Sequence, residues 1–244
     1  MILNPLSDSK LRKLKSGNFS VPRFDHSYDL ELADTPRLEG SIRGMMTLMR
    51  NHGFAEIVDT FDGLPGETVH EKMPALQHLI ANEIKSSPVG REEEGVTRIF
   101  HLIQLWGGRE GRYIYVKNGG FKKNFNAVAY RDLIRVAISE AELLQAVEAV
   151  RQISNFGISF ATKHIRFWNL FAGNGDLAIY DKIMAQGVMG ISHPDWKDYP
   201  NYLEAMNRAA EKQEITVNQL ERFCFAFFDS EKGKQWIKVR SQSW

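Results

Sequence analysis

Apolar residues recur at helical spacing through most of the chain. Met45, Met46, Leu48 and Met49 form one such run within Ile42–Phe54, and Met73 to Ile84 forms a second. Ile99, Leu102, Ile103 and Trp106 form a third, which Gly107-Gly108 ends as a C-terminal glycine pair does. Phe61-Asp-Gly-Leu-Pro-Gly66 separates the first two runs. Further on, Ala127 to Ile138 is amphipathic, and Ser139-Glu-Ala-Glu142 has the spacing of a capping box that opens a helix through Leu143, Leu144, Val147 and Val150. Asn155-Phe-Gly-Ile-Ser159 predicts a turn between two helices, with residues 160 to 170 as the second. Gly173-Asn-Gly175 predicts a loop, and Asp176 the N-cap of a helix reaching about Gln186. After a turn from Gly187 to His193, the pattern predicts helices over Asp195–Lys212 and behind a Thr216 cap, the latter carrying Leu220, Phe223, Phe227 and Phe228. Alternation of the β type is confined to Arg112–Val116. The fold class expected is therefore mostly α.

The polar run Ser86 to Gly95 is the best boundary candidate. It divides an N-terminal region, residues 1–95, with short elements and loops in its first 40 residues, from a helical domain over residues 96–244. Hydrophobic residues make up 43% of the 244 and charged residues 25%, which excludes disordered and collagen-like classes. No run of apolar residues is long enough to span a membrane, and the first residues lack the pattern of a secretory signal, so a cytoplasmic protein is expected. Cys224, the single cysteine, excludes an internal disulfide, a four-cysteine zinc site and a cysteine-ligated iron–sulfur cluster. Its apolar surroundings suit an inert buried thiol. His101, His164 and His193 lack metal-ligand spacing, so no metal is expected. Lysine plus arginine is 31 against 30 acidic residues, yet between Arg109 and Arg135 seven basic residues face two acidic ones, a local excess of +5. Such a patch is a candidate phosphate-contact surface.

The stretch Asn155-Phe-Gly-Ile-Ser-Phe-Ala-Thr-Lys-His-Ile-Arg-Phe-Trp168 places Lys163 in the first turn of a helix. Asp181 follows 18 residues later, after Ala178-Ile-Tyr, in the first turns of the next. Free N–H groups and the positive dipole end at a helix N-terminus suit a phosphate and ease deprotonation of a nearby lysine. Taken singly, Lys163 reads equally as a solvated helix lysine and Asp181 as a capping carboxylate. Phe223, Phe225, Phe227 and Phe228 read as core at helical spacing, with a base-stacking platform as the alternative.

Ser159-Phe-Ala161-Thr162-Lys163 resembles the small-x-small-Thr-Lys hairpin of the helix-hairpin-helix DNA glycosylase superfamily, specifically its 8-oxoguanine glycosylase fold. Ile179-Tyr180-Asp181 resembles that family's aspartate context, and Trp106-Gly107-Gly108 with Arg112 resembles a Trp-Gly-Gly-x-x-x-Arg segment of a prokaryotic branch similar to anti-phage defence glycosylases. Ser159 and Ala161 stand where better-known members carry glycine, and the one cysteine separates the chain from the cluster-bearing branches. The resemblance implies two helical lobes flanking a DNA cleft. It implies a DNA N-glycosylase that flips and excises a modified base, with Lys163 as nucleophile, Asp181 as its electrostatic and acid/base partner, and no cofactor. Ser159, Ala161, Thr162, Arg109, Arg112, Lys122 and Lys123 would contact DNA, and Trp106, Phe167 and Trp168 would line the base pocket. The partner implied is DNA containing a modified base, bound by a monomer. The substrate would be a bulky phage modification such as glucosylated hydroxymethylcytosine, or an oxidised guanine in housekeeping repair by a glycosylase with AP-lyase activity. A reader that binds modified bases without catalysis is the alternative of another class.

Overall fold

Helix α9, Ile158–Ala172, is buried at every position from Phe160 to Asn169 except Lys163, with Thr162, His164, Arg166 and Asn169 enclosed among its apolar side chains. In the computed structural model, which describes residues 19–25, 36–87, 93–139 and 143–241, this helix packs against α3, Val69–Ser86, α4, Glu93–Gly107, and α7, Ala127–Ser139. These belong to a compact unit of residues 34–175; residues 1–33 and 176–244 form a second. The helices on either side of the polar run 86–95 both belong to the first unit.

The larger unit also holds α1, Pro36–Asn51, and α2, Ala55–Asp62. A short 3-10 helix at Arg109–Arg112 leads into α5, Tyr113–Val116, and α6, Phe121–Asn124, and α8 spans Leu143–Arg151. Thr68 opens α3 with a reciprocal cap: its hydroxyl accepts from the Glu71 N–H, and the Glu71 carboxylate accepts from the N–H groups of Thr68 and Glu67. Those backbone donors hold Glu71 below the usual carboxylate range.

The core between α4 and α9 is aromatic and contains two histidines. Phe100 packs within 5.6 Å of Phe121, Phe125, Tyr130, Phe156 and His164, ring centroid to centroid. The Tyr130 hydroxyl lies 3.1 Å from Trp168 Nε1 and 2.7 Å from His164 Nδ1. Indole N–H only donates, so the Tyr130 oxygen accepts from Trp168, and its own hydroxyl can donate to His164 Nδ1 in the tautomer that carries the ring proton on Nε2. His101 Nδ1 makes the equivalent contact with Tyr115 Oη at 2.8 Å. Burial pushes the His101 imidazole down to about 3 and His164 well below its usual value, the latter also through Lys163 and His101, so both are neutral.

The smaller unit contains α10, Lys182–Met184, continued by a π-helical turn at Ala185–Met189, then α11, Tyr199–Lys212, α12, Val217–Asp229, and α13, Glu231–Ser241. Thr216 and Gln219 form the expected capping box of α12, whose Phe223, Cys224 and Phe228 are buried, with Phe225 and Phe227 half-buried. Burial, then Glu221, pushes the Cys224 thiol well above its ordinary range. Residues 19–25 run along this unit, with Phe24 edge-on to Phe223 at 5.3 Å and its N–H donating to Gln213 Oε1.

Two expectations are corrected. Arg112–Val116 is helical rather than a strand, because Ile114 and Tyr115, adjacent in sequence, are both buried while Tyr113 and Val116 face solvent; that is a helical pattern rather than a period of two. Asp176 caps no helix: residues 176–180 have no regular secondary structure, and Asp181, with an extended backbone, is the N-cap. Of the N-terminal stretch 1–40, residues 1–18 and 26–35 lie outside the described residues, as do positions 140–142 of the expected capping box. Among the described residues there is no strand, no helix long and apolar enough to cross a membrane, and no group of three or more side chains suited to hold a metal.

Candidate active site

The turn before α9 forms around Asn155, which takes the left-handed conformation (φ 61°) that asparagine tolerates, and Gly157 is the N-cap. Phe160 and Ala161 both donate to the Gly157 carbonyl at 3.0 Å. Lys163 therefore stands in the second helical turn rather than the first. It is the one partly exposed position among the ten from Phe160 to Asn169. Its amine lies 4.8 Å above the Phe160 ring and donates to the Ser159 carbonyl at 3.3 Å.

The glycines after Trp106 explain that posture. A Cβ on Gly107 would fall 2.5 Å from the Phe160 ring and 3.4 Å from Lys163 Cδ, and one on Gly111 would fall 2.7 Å from the same ring. Both distances to the ring are shorter than side-chain carbons tolerate, so only glycine lets the end of α4 lie flush against Phe160 and the lysine stem. Gln104 is enclosed in this layer, 1% exposed, with neither amide atom hydrogen-bonded. The Trp-Gly-Gly segment and the Thr-Lys segment, separate in sequence, are thus one packed layer beneath Lys163.

Other expected site residues are placed differently. The side chains of Ala161 and Thr162 are wholly enclosed, and the Thr162 hydroxyl donates to the Ile158 carbonyl of its own helix at 2.9 Å. Ser159 is half-buried. Phe167 and Trp168 are core side chains, 0% and 1% exposed, while Trp106 is half-buried with its ring edge-on to Phe167 at 4.9 Å. Arg109, Lys122 and Lys123 are exposed and Arg112 is half-buried. Arg43, Arg50, Arg98, Arg135 and Arg151 each pair with a carboxylate. Among the described residues no acidic partner meets Arg109, Lys122 or Lys123, which leaves a local positive field.

In the smaller unit, Asp181 Oδ1 accepts from the N–H groups of Ile183 and Met184, both at 3.0 Å. The residues before it are splinted by side chains from far along the chain. Tyr199 donates to the Ala178 carbonyl at 2.9 Å and Tyr202 to the Ile179 carbonyl at 2.7 Å, while Glu221 accepts from the Ile179 N–H at 3.2 Å. Burial, reinforced by Glu221, raises both phenols far above their usual value, so they stay protonated donors. After Asp181 the π turn is pinned as well. Phe228 lies where a Cβ on Gly187 would sit, 2.3 Å from its ring, and Trp236 Nε1 donates to the Gly187 carbonyl at 3.2 Å. Asp181 is thus held from both sides by groups that local sequence does not announce.

The model of a family described as "Putative 8-oxoguanine DNA glycosylase OGG-like protein" matches residues 80–225, more than half of the chain. The chain belongs to this family. No curated protein and no solved structure matches it. The matched stretch of the OGG-like chain contains the glycine layer, Lys163, Asp181 and the Tyr199–Tyr202–Glu221 splint, and membership supports DNA binding and base excision. The splint, Phe160 and Gly111 were not singled out in the sequence. The spacing of Gly107 and Gly111 was a usable signal for the last two, whereas nothing local marks Tyr199, Tyr202 or Glu221.

Proposed function

We propose that the OGG-like chain is a DNA N-glycosylase that flips out and excises a modified base, with Lys163 as nucleophile and Asp181 as its charged partner. The observation that supports this best is that Lys163 alone opens the buried stretch Phe160–Asn169 of α9, over a layer where glycine at positions 107 and 111 lets Phe160 pack close. A structural surface lysine needs no such seat. Neutral Lys163 would attack C1′ with its lone pair as the C1′–N bond breaks and the base departs with that electron pair, taking up a proton. Loss of the amine proton and opening of the sugar ring then give a Schiff base, from which removal of a C2′ proton expels the 3′ phosphate, the AP-lyase step. Ionised Asp181 would stabilise the positive charge developing on the sugar and accept the amine proton.

Arg109, Arg112, Lys122 and Lys123 would supply phosphate contacts. The Ser-Phe-Ala-Thr-Lys hairpin and the Trp-Gly-Gly-x-x-x-Arg segment support a bulky modified phage base, such as glucosylated hydroxymethylcytosine, as the substrate of a monomeric cytoplasmic enzyme in anti-phage defence. The test is base release from duplexes carrying that base, 8-oxoguanine or no modification. Release of the glucosylated base alone is expected. Release of 8-oxoguanine alone would move the chain to oxidative repair, and tight binding of a modified duplex with no release of any base would make it a reader.

A further inference from the structure

Tyr113, at the junction of the 3-10 helix and α5, is 39% exposed, and Val116 beside it is 45% exposed. Two cations rest on the tyrosine ring: the Arg112 guanidinium carbon and Lys117 Nζ each lie 4.5 Å from its centroid. Arg112 also donates to the Tyr113 hydroxyl at 2.9 Å and to the Arg109 carbonyl at 3.3 Å, and its nearest carboxylate, exposed Glu110, is 3.6 Å away. Lys117, like Lys122 and Lys123, has no acidic partner among the described residues. An aromatic face carrying two cations, one of them in a 3.6 Å ion pair with an exposed glutamate, is suited to a flat ring that brings its own phosphates. Place in the chain adds to this. Gly111 touches Phe160, the ring beneath Lys163, and Tyr113 follows two residues later, within about 7 Å of backbone reach.

We propose that Tyr113, with Arg112 and Lys117, is a stacking site for an unpaired nucleobase of single-stranded or locally opened DNA. The proposal rests on the reading of the chain as one that acts on DNA. The exchange is favourable. A cation on an exposed ring contributes a factor of about two to five in equilibrium terms, whereas a base stacked on an aromatic side chain contributes about five- to 150-fold. The displaced cations then meet the flanking phosphates, releasing condensed counterions. Stacking of this kind favours no particular base, so the site confers affinity for unpaired strands rather than sequence preference.

The test is binding of labelled oligo(dT) by fluorescence anisotropy over a range of salt concentrations. Tyr113→Ala is expected to weaken binding about five- to 100-fold with little change in thermal midpoint, and Tyr113→Phe to bind as wild type. Arg112→Gln and Lys117→Gln should each lower the salt slope by about 0.7. Tyr113→Trp, a second probe at the same position, should show added indole quenching on oligo(dT). Wild-type affinity in Tyr113→Ala, or no binding of oligo(dT) by the wild type, would overturn the proposal. Base release by the wild type is measured separately. Excision with an unaltered Tyr113→Ala affinity removes the stacking site alone, whereas loss of oligo(dT) binding in Tyr113→Ala with no excision by the wild type removes the glycosylase reading alone.

Discussion

Asp181→Asn is expected to slow single-turnover base release by about 10²- to 10⁴-fold while the fold and the affinity for duplex DNA stay as they are. Asparagine caps a helix as well as aspartate does, so the bonds from the Ile183 and Met184 N–H groups to the Oδ1 atom persist. The splint from Tyr199, Tyr202 and Glu221 acts on residues 178 and 179 and is also untouched. What disappears is the negative charge. A rate loss in this variant therefore reports charge stabilisation at the sugar, whereas Asp181→Ala confounds it with a lost cap costing about 1 kcal/mol. Release at the wild-type rate by Asp181→Asn would reduce Asp181 to a helix cap.

The largest stability effect expected is acid lability of the larger unit. His101 and His164 are held neutral in the folded protein, the first down to about 3 and the second well below its usual value, against ~6.5 in the unfolded chain. Below pH ~6.5 the unfolded chain takes up protons that the folded one refuses. The contribution of each histidine is thus complete above that pH and is lost as pH falls toward its folded pKa, at up to about 1.4 kcal/mol per unit. Two such groups over two pH units are a large share of the ~5–15 kcal/mol by which domains are stable. Urea unfolding between pH 7.5 and 4.5 measures this. The double variant His101→Gln, His164→Gln keeps an acceptor for Tyr115 and Tyr130 but does not titrate, and should flatten the profile; an equally steep profile in that variant would assign the lability elsewhere.

Helix positions were legible wherever a stop signal and a stripe agreed. Gly107 ends α4 and Thr216 opens α12 at the expected places, because glycine at a C-terminus and a threonine cap act within one turn of chain. The segment Tyr113–Val116 was misleading because its residues favour strands by propensity, yet two adjacent side chains, Ile114 and Tyr115, find burial together. Asp181 was legible as a candidate but its setting was not. The N-cap is Asp181 rather than Asp176, and Tyr199, Tyr202 and Glu221, 21 to 42 residues beyond the groups they bond, hold the backbone of residues 178 and 179 before it. Lys163 was found through its motif, but its seat depends on Gly107 and Gly111 meeting Phe160, a contact between helices some 50 residues apart. Ala161 and Thr162 illustrate the converse: a motif marks which residues recur together and does not say which of them face DNA.

The most direct test of the nucleophile assignment is borohydride trapping on a duplex whose modified base the protein releases. A covalent protein–DNA adduct mapped to Lys163, and absent from Lys163→Ala, is the predicted result. An adduct retained in Lys163→Ala, or base release by that variant at the wild-type rate, would contradict it.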